Sequence, residues 1–201
     1  MKELYKKAEA GIGTLILFIA LILVAAVAAG VLIQTSGSLQ SKALATGSQA
    51  QTQVSSGLNI LQAWGENASG SQTIDKIYFK AKLVPGSDPM VMNASYVSFA
   101  TQQFRQTYTY NSTGNVQGGC DNATQISTAG STFIVTGLVG YNNAGYLLDG
   151  DVVNICFLSP VPIPQATQIT LSFAPKVGSV SSFTTTTPDV MTDDKIPLFP
   201  N

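Results

Sequence analysis

Two cysteines, four Asn-x-Ser/Thr triplets and two aspartates flanking a glycine are the residues whose types and spacing could do chemistry. Cys120 and Cys156 read either as a disulfide or as two plain buried thiols, and the compartment decides between them. Asn67, Asn93, Asn111 and Asn122 are N-glycan acceptors only in a chain that leaves the cytoplasm. Asp149 and Asp151 flank Gly150, and carboxylate oxygens suit calcium. A polar turn before a strand explains the same three residues and is the preferred reading, so no metal site is assigned. Asp193 and Asp194 read as a solvated loop. The chain has no histidine and one arginine, Arg105. The commonest general base and metal ligand is therefore missing, and an arginine cluster for phosphate is excluded. No Ser/His/Asp set and no phosphate-cradling glycine loop occurs. The G-x-G at 11–13 precedes an apolar helix instead of following a strand, so it is no dinucleotide site. Catalytic residues, cofactors and nucleic-acid partners are therefore not expected, and the chain reads as a non-enzyme.

Whatever these residues do, the N-terminus decides where they do it. Lys2, Lys6 and Lys7 precede a stretch from Ala10 to Ser41 without one charged residue. Ile12 to Ile33 is long enough to cross a bilayer, which needs roughly 20 apolar residues. Lysines on its N-terminal side keep that end cytoplasmic and send the remainder outside. A removed secretory signal fits less well, because its apolar core runs only about 7–15 residues. Thirteen large apolar side chains lie between Leu15 and Ile33. At roughly 1.5–3 kcal/mol each, exposing them to water costs about 20–40 kcal/mol. A helix apolar on every face must be surrounded on every side, by lipid or by copies of itself. Small-residue pairs, Ala25/Ala29 and Ala26/Gly30, allow close helix packing. The expected packing positions are Leu15, Phe18, Ile22, Ala25, Ala29 and Leu32.

The helical pattern continues past Ile33. Leu39, Ala43, Ala50, Val54, Leu58 and Leu61 follow one helix face, and no proline occurs before Pro85. The spacing predicts a helix to about Trp64; a Ser/Gln-rich linker is the competing reading, favoured by Gly37, Gly47 and Gly57.

The block KKAEAGIGTLILFIALILVAAVAAGVLIQTSGSLQSKA resembles the N-terminus of archaellins, the archaeal flagellins. Weaker likeness continues through TGSQAQTQVSSGLNIL, IDKIYFKAKLVPGS, YLLDGDVV and the C-terminal TPDVM…IPLFP. The resemblance implies a subunit of an extracellular filament, polymerising with copies of itself and possibly other archaellins for swimming motility. It implies a membrane-inserted precursor, a prepilin-type signal peptidase and a membrane assembly machinery that moves the helix from lipid into the filament. The matching cut falls between Ala8 and Glu9, although the family usually has glycine where Ala8 stands. It would lower basic residues from 10 to 7 and acidic from 11 to 10, for a net charge of −3. Glu9 would then sit at the helix start, where the helix dipole favours a carboxylate. Bacterial type IV pilins usually carry a glutamate at the fifth mature position; Gly13 stands there in this chain.

From about Thr73 the pattern becomes strands: 74–84, 96–100, 106–110, 132–138, 151–158, 168–173 and 181–186. Seven short strands split by Gly, Pro, Asn and Ser suggest an immunoglobulin-like β-sandwich, which the resemblance also implies. The expected organisation is α+β: a cleaved segment 1–8, a filament-core helix 9–64 and an outer β-sandwich 65–201. Outside the cell, Cys120 and Cys156 become disulfide candidates and the four sequons become persuasive. Two other functions remain open: a subunit of a type IV-like adhesion pilus, and a membrane-anchored binding domain that keeps residues 1–8.

Overall fold

The computed structural model describes the backbone of residues 2–67, 72–112, 120, 130–141 and 145–200. Among the described residues one long helix, α1 (Lys2–Ser55), precedes eleven strands: β1 (Leu58–Asn67), β2 (Ile74–Leu83), β3 (Met90–Val91), β4 (Tyr96–Thr101), β5 (Arg105–Tyr110), β6 (Thr132–Val139), β7 (Tyr146–Leu147), β8 (Val152–Ile163), β9 (Gln168–Ala174), β10 (Ser181–Thr186) and β11 (Lys195–Phe199). The chain divides into two compact units, residues 1–49 and 50–201. The fold is thus one long N-terminal helix followed by a large, mostly antiparallel sheet, as the α+β expectation required.

Within the second unit nine of the described strands run in the order β10-β9-β4-β5-β6-β8-β2-β1-β11, and β3 pairs with β7 in a separate two-stranded sheet. Every pairing is antiparallel except β5 with β6, where just Thr109↔Thr132 and Tyr110↔Phe133 align in parallel. That short link lets the sheet fold over, and aromatic rings from both halves meet inside. Phe157 of β8 lies 5.4 Å from Phe99 of β4 and 4.5 Å from Tyr108 of β5, centroid to centroid. Phe133 of β6 meets Phe173 of β9, and Phe183 of β10 stacks on Phe199 of β11 at 5.1 Å. Inward positions alternate: Ile77, Phe79, Ala81 and Leu83 of β2 are all buried. Burial pushes the phenol pKa values of Tyr108 and Tyr110 upward, and for Tyr110 the hydroxyl of Tyr141, 3.1 Å away, adds to it. Tyr108 donates its hydroxyl to the Leu158 carbonyl at 2.8 Å.

The helix was expected to reach Trp64 and ends at Ser55. Residues 58–64, assigned by pattern to the core helix, belong to β1 of the β-domain, so the expected 64/65 boundary is wrong. Leu58 and Ala63 are buried inside the folded sheet, and register shifts occur between Ile60 and Gln62 and again between Ala63 and Trp64. Leu61, which the helical pattern placed on one face with Leu58, is exposed, and the buried positions Leu58, Ala63 and Gly65 follow the bulged strand instead of a helix face. Gly65 is required there by contact: a Cβ would come within 2.5 Å of Ile74 Cγ2.

The turn after α1 is tied into the sheet. Ser179 N–H donates to the Ser56 carbonyl at 2.8 Å, and Val84 N–H to the Gly57 carbonyl at 2.9 Å. Gly178 has φ +119°, and a Cβ on it would lie 2.6 Å from the Ser56 oxygen.

Candidate assembly surface and processing sites

Fourteen large apolar side chains from Ile12 to Ile33 are 50–74 % exposed. Leu15, Phe18, Ile22 and Leu32 are among them, and Ala25 and Ala29 are exposed as well. The six expected packing positions thus lie on a surface open all round, not on one stripe. Its few polar groups turn inward to the backbone. Thr14 Oγ1 donates to the Gly11 carbonyl at 2.9 Å and Thr35 Oγ1 to the Leu32 carbonyl at 3.1 Å. A hydroxyl already bonded to its own helix costs little when water is withdrawn. No atom lies within 4 Å of a Cβ built on Gly11, Gly13 or Gly30. By length and composition α1 is able to cross a membrane. Ala8 and Glu9 both fall within its helical backbone.

Cys120 and Cys156 are joined in a disulfide with Cα atoms 5.7 Å apart. Cys156 sits on β8 opposite Tyr78 of β2 and Ile134 of β6. These two side chains and Cys120 form a small buried cluster with Cys156. Cys120 N–H donates to Thr136 Oγ1 at 2.7 Å. Of the sequons, Asn93 is exposed in a single 3-10 turn (Met92–Ala94), Asn111 follows β5 half-buried, and Asn67 ends β1. Asn122 lies outside the described residues.

The Asp149/Asp151 pair resolves into a turn. Asp151 is buried and its Oδ2 accepts the Leu148 N–H at 2.8 Å, while Asp149 Oδ2 accepts the Gly86 N–H at 3.4 Å. Both carboxylates thus hold backbone, which is the polar-turn reading. Among the described residues no group of three or more His, Cys, Asp or Glu comes together.

An all-round apolar helix carrying a compact β-domain defines a subunit whose helix is buried by lipid or by other such helices. The chain belongs to the archaeal-type flagellin family, whose profile matches residues 8–185. It is 33 % identical to Flagellin B1 of Methanocaldococcus jannaschii over 96 % of this chain and 95 % of that one. It is 32 % identical to Flagellin B3 of Halobacterium salinarum over 94 % and 92 %. Among solved structures, the archaeal flagellum of Methanospirillum hungatei strain JF1 superposes with a TM-score of 0.70 at 17 % identity, covering 92 % of this chain and 98 % of that chain. A crystal structure of an archaeal flagellin from Methanocaldococcus jannaschii gives 0.61 at 18 % identity, covering 71 % and 96 %. The two structures share the fold. The chain is a structural subunit of the extracellular motility filament of archaea, polymerising with itself or with other archaellins. The adhesion-pilus alternative is not favoured.

Proposed function

We propose that the subunit is made as a membrane-inserted precursor, cut between Ala8 and Glu9 by a prepilin-type peptidase, and then moved by an assembly machinery from lipid into the filament core. The observation that carries this reading is the exposed apolar surface from Ile12 to Ile33. Lipid covers it before assembly, and neighbouring helices cover it afterwards. The roughly 20–40 kcal/mol of aqueous exposure is never incurred. Lys2, Lys6 and Lys7 hold the precursor's orientation, and removing them frees a helix end to enter an apolar core. In the polymer Leu15, Phe18, Ile22 and Leu32 pack between neighbouring helices, with Ala25 and Ala29 at the closest approaches. The core helix is residues 9–55, and the β-domain, from about residue 56, faces outward without catalysing a reaction. Asn93 and Asn111, in turns of that domain, carry glycans; Asn67 and Asn122 are the other two acceptors.

N-terminal sequencing of sheared filaments tests the cut. Glu9 as the first residue is expected, and a filament subunit that begins at Met1 overturns the reading. Peptide mapping of the same material tests the glycans; four unmodified sequons would refute them.

A further inference from the structure

The outward face of β2 alternates Lys76, Tyr78, Lys80 and Lys82, opposite the inward row from Ile77 to Leu83. Tyr78 pairs across strands with Trp64 of β1, their rings parallel within 1° and 5.6 Å apart. Lys80 Nζ lies 5.2 Å from the centre of the Trp64 ring, a cation–π contact. Tyr78 donates its hydroxyl to Glu66 Oε2 at 2.7 Å. Two hollows, of about 190 and 260 Å³, share Trp64 and Lys195 as walls. Lys76, Glu66 and Asn154 line the first; Lys80, Gln62 and Pro197 line the second. Asn154 is 9 % exposed, and its Oδ1 has no hydrogen-bond partner.

We propose that the hollows around Trp64 bind an acidic saccharide, with Lys80 and Lys195 on its carboxylates and Trp64 against its C–H face. This goes beyond polymerisation, since no part of it uses α1. Three observations select the ligand class. Residues 50–201 carry six lysines and arginines against nine aspartates and glutamates, yet three of those six cations line these hollows. Positive charge is therefore gathered at one place on an acidic domain, which favours an anion. An indole flanked by amides and a carboxylate suits a ligand that is apolar on its face and hydroxylated at its rim, as a sugar ring is. Glu66 discriminates: its carboxylate accepts hydroxyls and repels a densely charged phosphate polymer.

Trp64 is the sole tryptophan, so its emission reports on this site alone. Sheared filaments are titrated with a hexameric oligouronate, with a neutral hexasaccharide and with polyphosphate of matched charge. A saturable change with the oligouronate is expected, with at least tenfold weaker binding of the other two. K80A/K195A should weaken oligouronate binding at least tenfold, whereas K176A, far along the chain beside Val177 and lining a different hollow, should leave it unchanged. The lysine pair is chosen because Trp64→Ala would remove the reporter and loosen the packing over the disulfide. No saturable change, equal binding of polyphosphate, or full binding by K80A/K195A would each overturn the proposal.

Discussion

Reducing the Cys120–Cys156 disulfide should destabilise the β-domain by about 4 kcal/mol. The bond closes a segment with a sequence separation of 36, and the chain-entropy relation for a loop of that size gives roughly 4 kcal/mol at 25 °C. Both cysteines are buried, at 2 % and 0 % exposure, so the reduced thiols keep their packing and the effect falls mainly on the unfolded chain. The assay is urea unfolding of the detergent-solubilised full chain, followed by the emission of Trp64, whose ring stacks on Tyr78 beside the disulfide. With a slope of about 2 kcal/mol per molar urea, the midpoint should fall by about 2 M when a reductant is added under mild unfolding. Cys120→Ala/Cys156→Ala should match the reduced protein and should not respond to reductant. If the wild-type midpoint moves by less than about 0.5 M, corresponding to about 1 kcal/mol, the loop-closure reasoning fails for this domain.

Ile22→Asp places a carboxylate in the middle of the apolar helix, at a cost of about 2.5–3.5 kcal/mol at a bilayer centre; shed filaments should fall at least tenfold, Ile22→Val should assemble normally, and filaments of ordinary length from Ile22→Asp would refute the buried-core reading. Gly178→Ala combines a left-handed backbone with a contact to the Ser56 oxygen, so a loss of about 1–3 kcal/mol is expected by urea titration, and an unchanged midpoint would mean that the turn after α1 adjusts freely. Raised phenol pKa values at Tyr108 and Tyr110 mean that above pH about 10 the unfolded chain has released protons that the folded chain still holds. Stability present below that pH should therefore fall as pH rises further, and ultraviolet difference titration of Tyr108→Phe and Tyr110→Phe against the parent should assign late-ionising phenol signal to both positions.

The strands that were legible in the sequence lie between turn signals and are rich in β-branched and aromatic residues, with the clearest alternation in QITLSF. Ser181–Thr186 was found with the expected ends, and Gln168–Ala174 extends by one residue. β8 was expected to stop at Leu158 and runs to Ile163 through Pro160 and Pro162. β11 was missed because Pro197 lies at its centre; it is the outermost strand of the sheet, where a missing N–H is tolerated. β1 was missed because Leu58 and Leu61 continue the 3-and-4 spacing of Ala50 and Val54, although Leu61 is exposed in the strand. The assembly surface was legible because it needs no partner element to define it: a run of apolar side chains says the same thing in any register. The basic face around Trp64 was not, although Lys76, Lys80 and Lys82 alternate openly. The neighbours that turn alternation into a site, Lys195 and Asn154, come from β11 and β8, and only the pairing of strands brings them together.

The helix and the β-domain solve opposite problems of solvation. From Ala10 to Ile33 no charge interrupts the rod, and its one hydroxyl, on Thr14, bonds to the Gly11 carbonyl, so that stretch can change neighbours from lipid to protein at little polar cost. The β-domain does the reverse: its core rings, Phe79, Phe99, Tyr108, Phe133, Phe157 and Phe173, are enclosed by its own sheet. A subunit built this way carries its stability in one part and its drive to polymerise in the other. Mutations in the sheet core should therefore lower the amount of intact subunit without changing how the survivors assemble. Charged substitutions from Leu15 to Leu32, unlike conservative apolar ones, should leave the folded domain intact and stop the filament. A variant such as Phe157→Ala, which removes a ring packed on Phe99 and Tyr108 at a cost of about 3–5 kcal/mol, separates the two effects. Fewer filaments of normal length are expected, and short filaments at normal subunit level would contradict the division.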